Sequence, residues 1–72
     1  MERYYYYVWQ YQNELGVATT YAIMANKGGF SLKRAIEFQE FLGHSQGFVL
    51  FWEEISSDDY NYLRKRDIKT LD

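Results

Sequence analysis

Residues Gly43-His44-Ser45-Gln46-Gly47 have the G-x-S-x-G spacing of a hydrolase nucleophile elbow. That motif works because a strained strand-to-helix turn lifts the serine toward a histidine base and an oxyanion hole. Here the predicted order is helix to strand, and the chain's one histidine, His44, is the serine's direct neighbour. His44 therefore reads as a solvated loop residue, and hydrolase chemistry is not expected. Lys27-Gly28-Gly29-Phe30-Ser31 brings glycines and a lysine to a helix start, where unpaired amides favour anions. It lacks the G-x-x-x-x-G-K-S/T spacing of a nucleotide loop, and turn and cap chemistry account for each of its residues.

The carboxylates fare no better as a site. Glu53 and Glu54 are consecutive in a strand pattern and point to opposite faces, while Glu37 and Glu40 fall on the polar side of a helix. Asp58 and Asp59 suit the first turn of a second helix. With no cysteine and no second histidine, nothing completes a metal site, so no catalytic, cofactor or metal residue is assigned. The chain reads as non-enzymatic.

One basic cluster remains, Arg64-Lys65-Arg66 with Lys69, beside Tyr60 and Tyr62. Basic residues next to sheet aromatics are the ingredients of a single-stranded nucleic-acid binder, which stacks bases on rings and holds phosphates by charge. Asp58, Asp59 and Asp67 offset the cluster, and the net charge is −2, so nucleic acid is the secondary expectation.

The elements that would position these residues are short. Arg3 to Gln12 is tyrosine, tryptophan and valine, which fit a pleated surface, and it ends at the turn Asn13-Glu14-Leu15-Gly16. Val17 to Asn26 has no helix-period polar face and stops at Lys27-Gly28-Gly29. Ser31 then caps a helix over about Leu32 to Leu42, closed by Gly43. At 100° per residue Leu32, Ala35, Ile36, Gln39 and Leu42 form its core side, Phe38 lies at the border and Phe41 faces away. Gly47 to Ile55 is a third strand. Ser56 caps a short C-terminal helix to about Arg66, with Ile55 stapled to Tyr60.

The order β-β-α-β-α predicts an α+β fold with strand three either beside strand one, antiparallel in order 2-1-3, or beside strand two, with a parallel pair in order 1-2-3. The most aromatic strand, the first, belongs at the buried centre, so the expectation is a three-stranded antiparallel sheet in order 2-1-3, one main helix on one face, and the short helix at the end. Seventy-two residues hold one domain, residues 1–72, and a chain this small needs dense packing or a partner subunit. The longest apolar runs, Tyr4–Trp9 and Phe48–Trp52, are far below the roughly 18 residues of a membrane span. No export signal is read at the start, so a soluble, cytoplasmic protein is expected.

Alternation along the strands carries the functional expectation. Tyr5, Tyr7, Trp9 and Tyr11 point to one face and Tyr4, Tyr6 and Val8 to the other; in the third strand Phe48, Leu50 and Trp52 oppose Val49, Phe51 and Ile55. Neither face is polar, and one helix covers only one of them. Tyr5, Tyr7, Trp9 and Tyr11, with Phe41 on the helix's outer side, are thus the expected interface of a protein-binding module that forms a homodimer or binds another protein.

The aromatic opening Tyr4-Tyr5-Tyr6-Tyr7-Val8, the glycine-marked turn, the Ser-capped helix after Gly29-Phe30 and the closing Trp52-Glu53-Glu54-Ile55-Ser56 together resemble small, largely uncharacterised open reading frames of bacterial phages and mobile elements. The likeness spans residues 4–60 and implies a β-β-α-β core and no transferable active site. It also implies a partner, a host protein such as a defence nuclease that the chain would bind and block.

Overall fold

The first strand, β1 (Arg3–Asn13), ends where the Asn13 side-chain oxygen accepts a hydrogen bond of 2.9 Å from the Leu15 amide. That local turn and Gly16, at φ +120°, reverse the chain through the two residues Glu14 and Leu15. Strand β2 (Gly16–Asn26) returns antiparallel along β1. The Ser31 hydroxyl accepts from the Arg34 amide and starts helix α1 (Leu32–Phe41), which leads to β3 (Gly47–Ile55). Ser56 caps helix α2 (Ser57–Lys65) in the same way, through the Asp59 amide, with Asp58 and Asp59 at the positive end and Arg64 and Lys65 at the negative end. The computed structural model describes residues 1–71, and the last element in them is a short strand, β4 (Lys69–Leu71).

The sheet order is β3-β1-β2-β4. The expected arrangement of the first three strands holds, with β1 central and antiparallel to both neighbours. The fourth strand corrects the three-stranded, wholly antiparallel expectation, because β4 pairs with β2 in parallel and makes the sheet mixed. Three residues are too few to display a strand period, so β4 exists through its pairing with Ala22, Ile23 and Met24 rather than through its own sequence. Asp67, at φ 65°, turns the chain out of α2 into it; aspartate is among the few residues that tolerate this left-handed backbone.

Strands β2, β3 and β4 all run in one direction, so α1 and α2 are both crossover helices. The first crossover steps from β2 over β1 to β3, and the second steps back across the sheet to β4. Two crossovers of the same hand that run in opposite directions must lie on opposite faces. Accordingly α1 packs on one side of the sheet and α2 on the other, giving two small cores.

Under α1 the core is Tyr5, Tyr7, Trp9, Ala22, Met24 and Ala35, extended by Phe30, Ile36, Val49 and Leu71. Under α2 it is Ile23, Ala25 and Tyr60, extended by Tyr4, Tyr6, Ile55, Leu63 and Ile68. The Ile55–Tyr60 staple is thus present. Leu32, expected on the core side of α1, is instead exposed. Phe30 takes the space beneath the start of the helix, its ring parallel to that of Trp52 at 4.8 Å and edge-on to Tyr5 and Tyr7.

Candidate functional site

Tyr5, Tyr7 and Trp9 are 1%, 0% and 0% exposed, so the stripe expected to form an interface is the floor of the α1 core. This overturns those three residues as a contact surface. The physical reason is that α1, with Phe30 and Val49, covers the β1 stripe on this side, and large flat rings are what such a thin domain has to fill it with. Tyr11, at the end of the stripe, is partly buried with its ring stacked on His44 at 4.4 Å. Phe41 alone among the five is open, 85% exposed on the outer side of α1.

The same core fixes His44, which is not the solvated loop residue its sequence position implies. The indole N–H of Trp9 donates to the His44 carbonyl at 2.9 Å, and the His44 amide donates to the Gln39 carbonyl at 2.9 Å. Gln39 is fully buried, and its Nε2 donates to the Tyr7 hydroxyl at 3.0 Å. Its Oε1 is then left to accept from His44 Nδ1, 2.9 Å away, which places the histidine's proton on Nδ1. Burial pushes the Tyr7 hydroxyl pKa up, opposed by the bond from Gln39. Every bond in this chain of groups is made to another protein group that positions α1 on the sheet. Ser45 is exposed beside it on a helix-to-strand loop, without the strand-to-helix geometry that a nucleophile elbow requires.

The glycine-rich segment before α1 is similarly occupied. Asn26 Nδ2 donates to the Gly29 carbonyl at 2.6 Å, and Arg34 Nη1 donates to the Asn26 side-chain oxygen and to the Ala25 carbonyl at 2.6 and 3.0 Å. No group of three or more metal-ligating side chains occurs among the described residues.

The open surface is on the other side of the sheet. Helix α2 is nine residues long and covers only the end built from Tyr4, Tyr6, Ile23, Ala25 and Ile55. Beyond it the strand pairing sets Val8 beside Tyr21 and Phe51, Gln10 beside Thr19 and Phe48, and Gln12 beside Val17. Val17, Tyr21, Phe48 and Phe51 are 64%, 52%, 53% and 50% exposed. Phe48 and Phe51 share this side because β3 carries a β-bulge at the Val8/Trp9 step, where Leu50 is the extra residue. Strict alternation sets Phe48 and Phe51 on opposite faces, and the bulge corrects this by turning Val49 inward onto the α1 core. A run of apolar residues gives no sign of a bulge, so only the even-numbered β1 residues and the odd parity of Val17 and Tyr21 hinted at this surface.

At the α2 end the patch deepens into an open groove of about 510 Å³ lined by Tyr6, Tyr21, Leu63, Arg66, Ile68 and Lys69, among others. Tyr6 and Tyr21 stack at 6.3 Å with rings 14° from parallel. The Tyr6 hydroxyl pKa is raised, first by burial and then by neighbouring Tyr21 and Glu53. Of the basic cluster, Arg66 and Lys69 line this groove; Arg64 and Lys65 do not. Arg66 also lies over the Tyr62 ring, 5.7 Å from its centre, and donates to the Tyr62 hydroxyl at 3.0 Å. Asp67 lines the groove as well, which halves its net positive charge.

The C-terminal end of β3 is pinned by a two-pronged ion pair, Arg3 Nε and Nη2 to the Glu54 carboxylate at 2.9 and 2.7 Å. The bonded guanidinium holds the Glu54 carboxyl below its usual range. No helix is long and apolar enough to cross a membrane among the described residues. No protein-family model, curated protein or solved structure matches the chain.

Proposed function

We propose that this chain is a non-enzymatic protein-binding module that contacts its partner through the open half of the sheet, and that its first partner is a second copy of itself. The observation that carries this reading is the cluster Val17, Tyr21, Phe48 and Phe51, four large apolar side chains at least half exposed on one side of a 72-residue domain. A domain of this size leaves a large fraction of its surface uncovered, and association is the remaining way to remove such a patch from water. The resemblance to phage and mobile-element reading frames supports a host protein as the target that the associated form would block.

Sedimentation tests it. The protein is expected to be a dimer at tens of micromolar, and Phe51→Lys, at a half-exposed position, is expected to give a folded monomer. A monomer mass at every concentration up to about 100 μM removes the self-association reading.

A second reading, single-stranded nucleic-acid binding, rests on Arg66 and Lys69 lining the same groove as the stacked pair Tyr6 and Tyr21. With Asp67 in that groove the electrostatic footprint is small, and protein binding ranks first. Micromolar oligonucleotide affinity that falls with salt at a log–log slope of about −0.7 per phosphate, and that is lost in Arg66→Ala/Lys69→Ala, reverses this order.

A further inference from the structure

We infer that two copies of this chain join edge to edge, β3 pairing antiparallel with the partner's β3 about a twofold axis at Phe51, to make one continuous eight-stranded sheet. The inference rests on the self-association reading above and specifies its geometry.

The two edges of the sheet are unlike. On one side β4, three residues beginning with Lys69, covers Ala22 to Met24 of β2 and leaves only the shorter, threonine-bearing stretch Gly16 to Tyr21 uncovered; a short strand bearing a lysine is how proteins protect an edge from pairing. The β3 edge is nine residues long and has no proline and no basic residue, and Phe48 to Trp52 along it is an unbroken apolar run. Among the described residues no strand pairs with its outer side, so a row of backbone N–H and C=O groups is open there. The chemistry that satisfies such a row is another extended backbone.

The pattern of β3 is self-complementary about its midpoint. An axis at Glu53 would set both Glu53 side chains against each other. An axis at Phe51, the midpoint of the strand, separates them. It sets Phe51 against the partner's Phe51, an aromatic cross-strand pair of the favoured kind. With the bulge at Leu50 carried into this pairing, Trp52 faces the Val49-Leu50 step, Glu53 faces Phe48 and Glu54 faces Gly47. Side-chain directions agree throughout: Phe48, Phe51 and Glu53 lie on the open side with Gln10, Val8 and Tyr6, while Val49, Trp52 and Glu54 lie on the α1 side. No carboxylate meets a carboxylate. The open halves of the two sheets then adjoin across the axis, so the β3 part of the patch, Phe48 and Phe51, is covered by the second copy, while Val17 and Tyr21 on β2 stay open to a third molecule.

The chain contains no cysteine, so single introduced cysteines report the geometry without interference. Directly opposed antiparallel residues have Cα atoms roughly 4.5–5.5 Å apart, inside the range that a disulfide spans. In the edge-paired dimer, two copies of Tyr21 lie five strand spacings apart, roughly 24 Å, far outside it. Under mild oxidation Phe51→Cys is expected to form a disulfide dimer at least about tenfold faster than Tyr21→Cys, and a mixture of Phe48→Cys and Glu53→Cys proteins is expected to cross-link with each other. Both Phe51 and Tyr21 are half exposed, so neither change removes core. Sedimentation of the unmodified protein separates the two levels of the argument. A dimer in which Tyr21→Cys links as fast as Phe51→Cys, or in which the Phe48/Glu53 mixture does not link, leaves self-association standing and overturns edge pairing. A monomer overturns both.

Discussion

Replacing Gly47 with alanine puts a methyl group in place of a hydrogen at the tightest point between β3 and β1. A Cβ at this position would stand 2.5 Å from the Gln10 carbonyl oxygen and 2.7 Å from Cε2 and Nε1 of Trp9. Neither neighbour yields easily, because the first is sheet backbone opposite Phe48 and the second is a fully buried indole. Forcing a methyl into a packed interior costs about 1–3 kcal/mol. If Trp9 tilts to make room, its N–H loses the His44 carbonyl at 2.9 Å, and an unpaired buried donor costs about 1–3 kcal/mol more. The expected loss is therefore about 2–5 kcal/mol, against a total stability of roughly 4–11 kcal/mol for a domain of this length. At about 4–8 °C per kcal/mol the melting temperature should fall by at least about 8 °C, or the protein should not fold at room temperature. Thermal denaturation followed by circular dichroism and tryptophan fluorescence measures this. Gly28→Ala is the matched control, since nothing lies within 4 Å of its Cβ position, and it should stay within about 0.5 kcal/mol of the parent. A Gly47→Ala protein that melts within about 2 °C of the parent would refute the close packing of Trp9 against β3.

On α1, Phe41→Ala should leave the melting temperature nearly unchanged because the ring is 85% exposed, whereas Ile36→Ala, which packs on the α1 core, should cost about 2 kcal/mol in a denaturant titration. Equal effects of the two would reverse the orientation of the helix. Alkaline pH probes Tyr7: its folded pKa is raised by burial, so the native state holds the proton more tightly than the unfolded chain does. That contribution is complete below the unfolded tyrosine value of about 10 and is lost as pH rises through it toward the folded value. Melting temperatures between pH 8 and 11 should therefore drop at the alkaline end, and Tyr7→Phe should flatten that drop; an unchanged slope would place its cause in another group.

Local chemistry was legible in the sequence wherever a residue acts on its own neighbours. Ser31 and Ser56 announce helix starts because their hydroxyls reach amides three residues on, and Asn13 with Gly16 announces a hairpin because it bonds within its own turn. The order of the first three strands followed from the same punctuation, since β1 is the strand whose two sides are both aromatic and only a central strand can bury both. Phe41 lay outside the core by helical period alone.

Sequence periodicity does not rank two equally aromatic faces, and here tertiary structure decided. Tyr5, Tyr7 and Trp9 alternate with Tyr4, Tyr6 and Val8, and their side-chain chemistry is too similar to say which side α1 covers. The handedness of two opposed crossovers assigned α1 to the first set and the shorter α2 to part of the second, and the remainder of that second side became the exposed surface. The bulge at Leu50 carries no mark in a run of five apolar residues, yet it decides that Phe48 and Phe51 share a face. Likewise β4 is three residues whose strand state comes from the edge of β2, a partner more than forty positions away in the chain. Residue types set what each segment can pair with; the placement of α2 over one end of its face and the hand of the crossovers set which aromatic side chains stay in water.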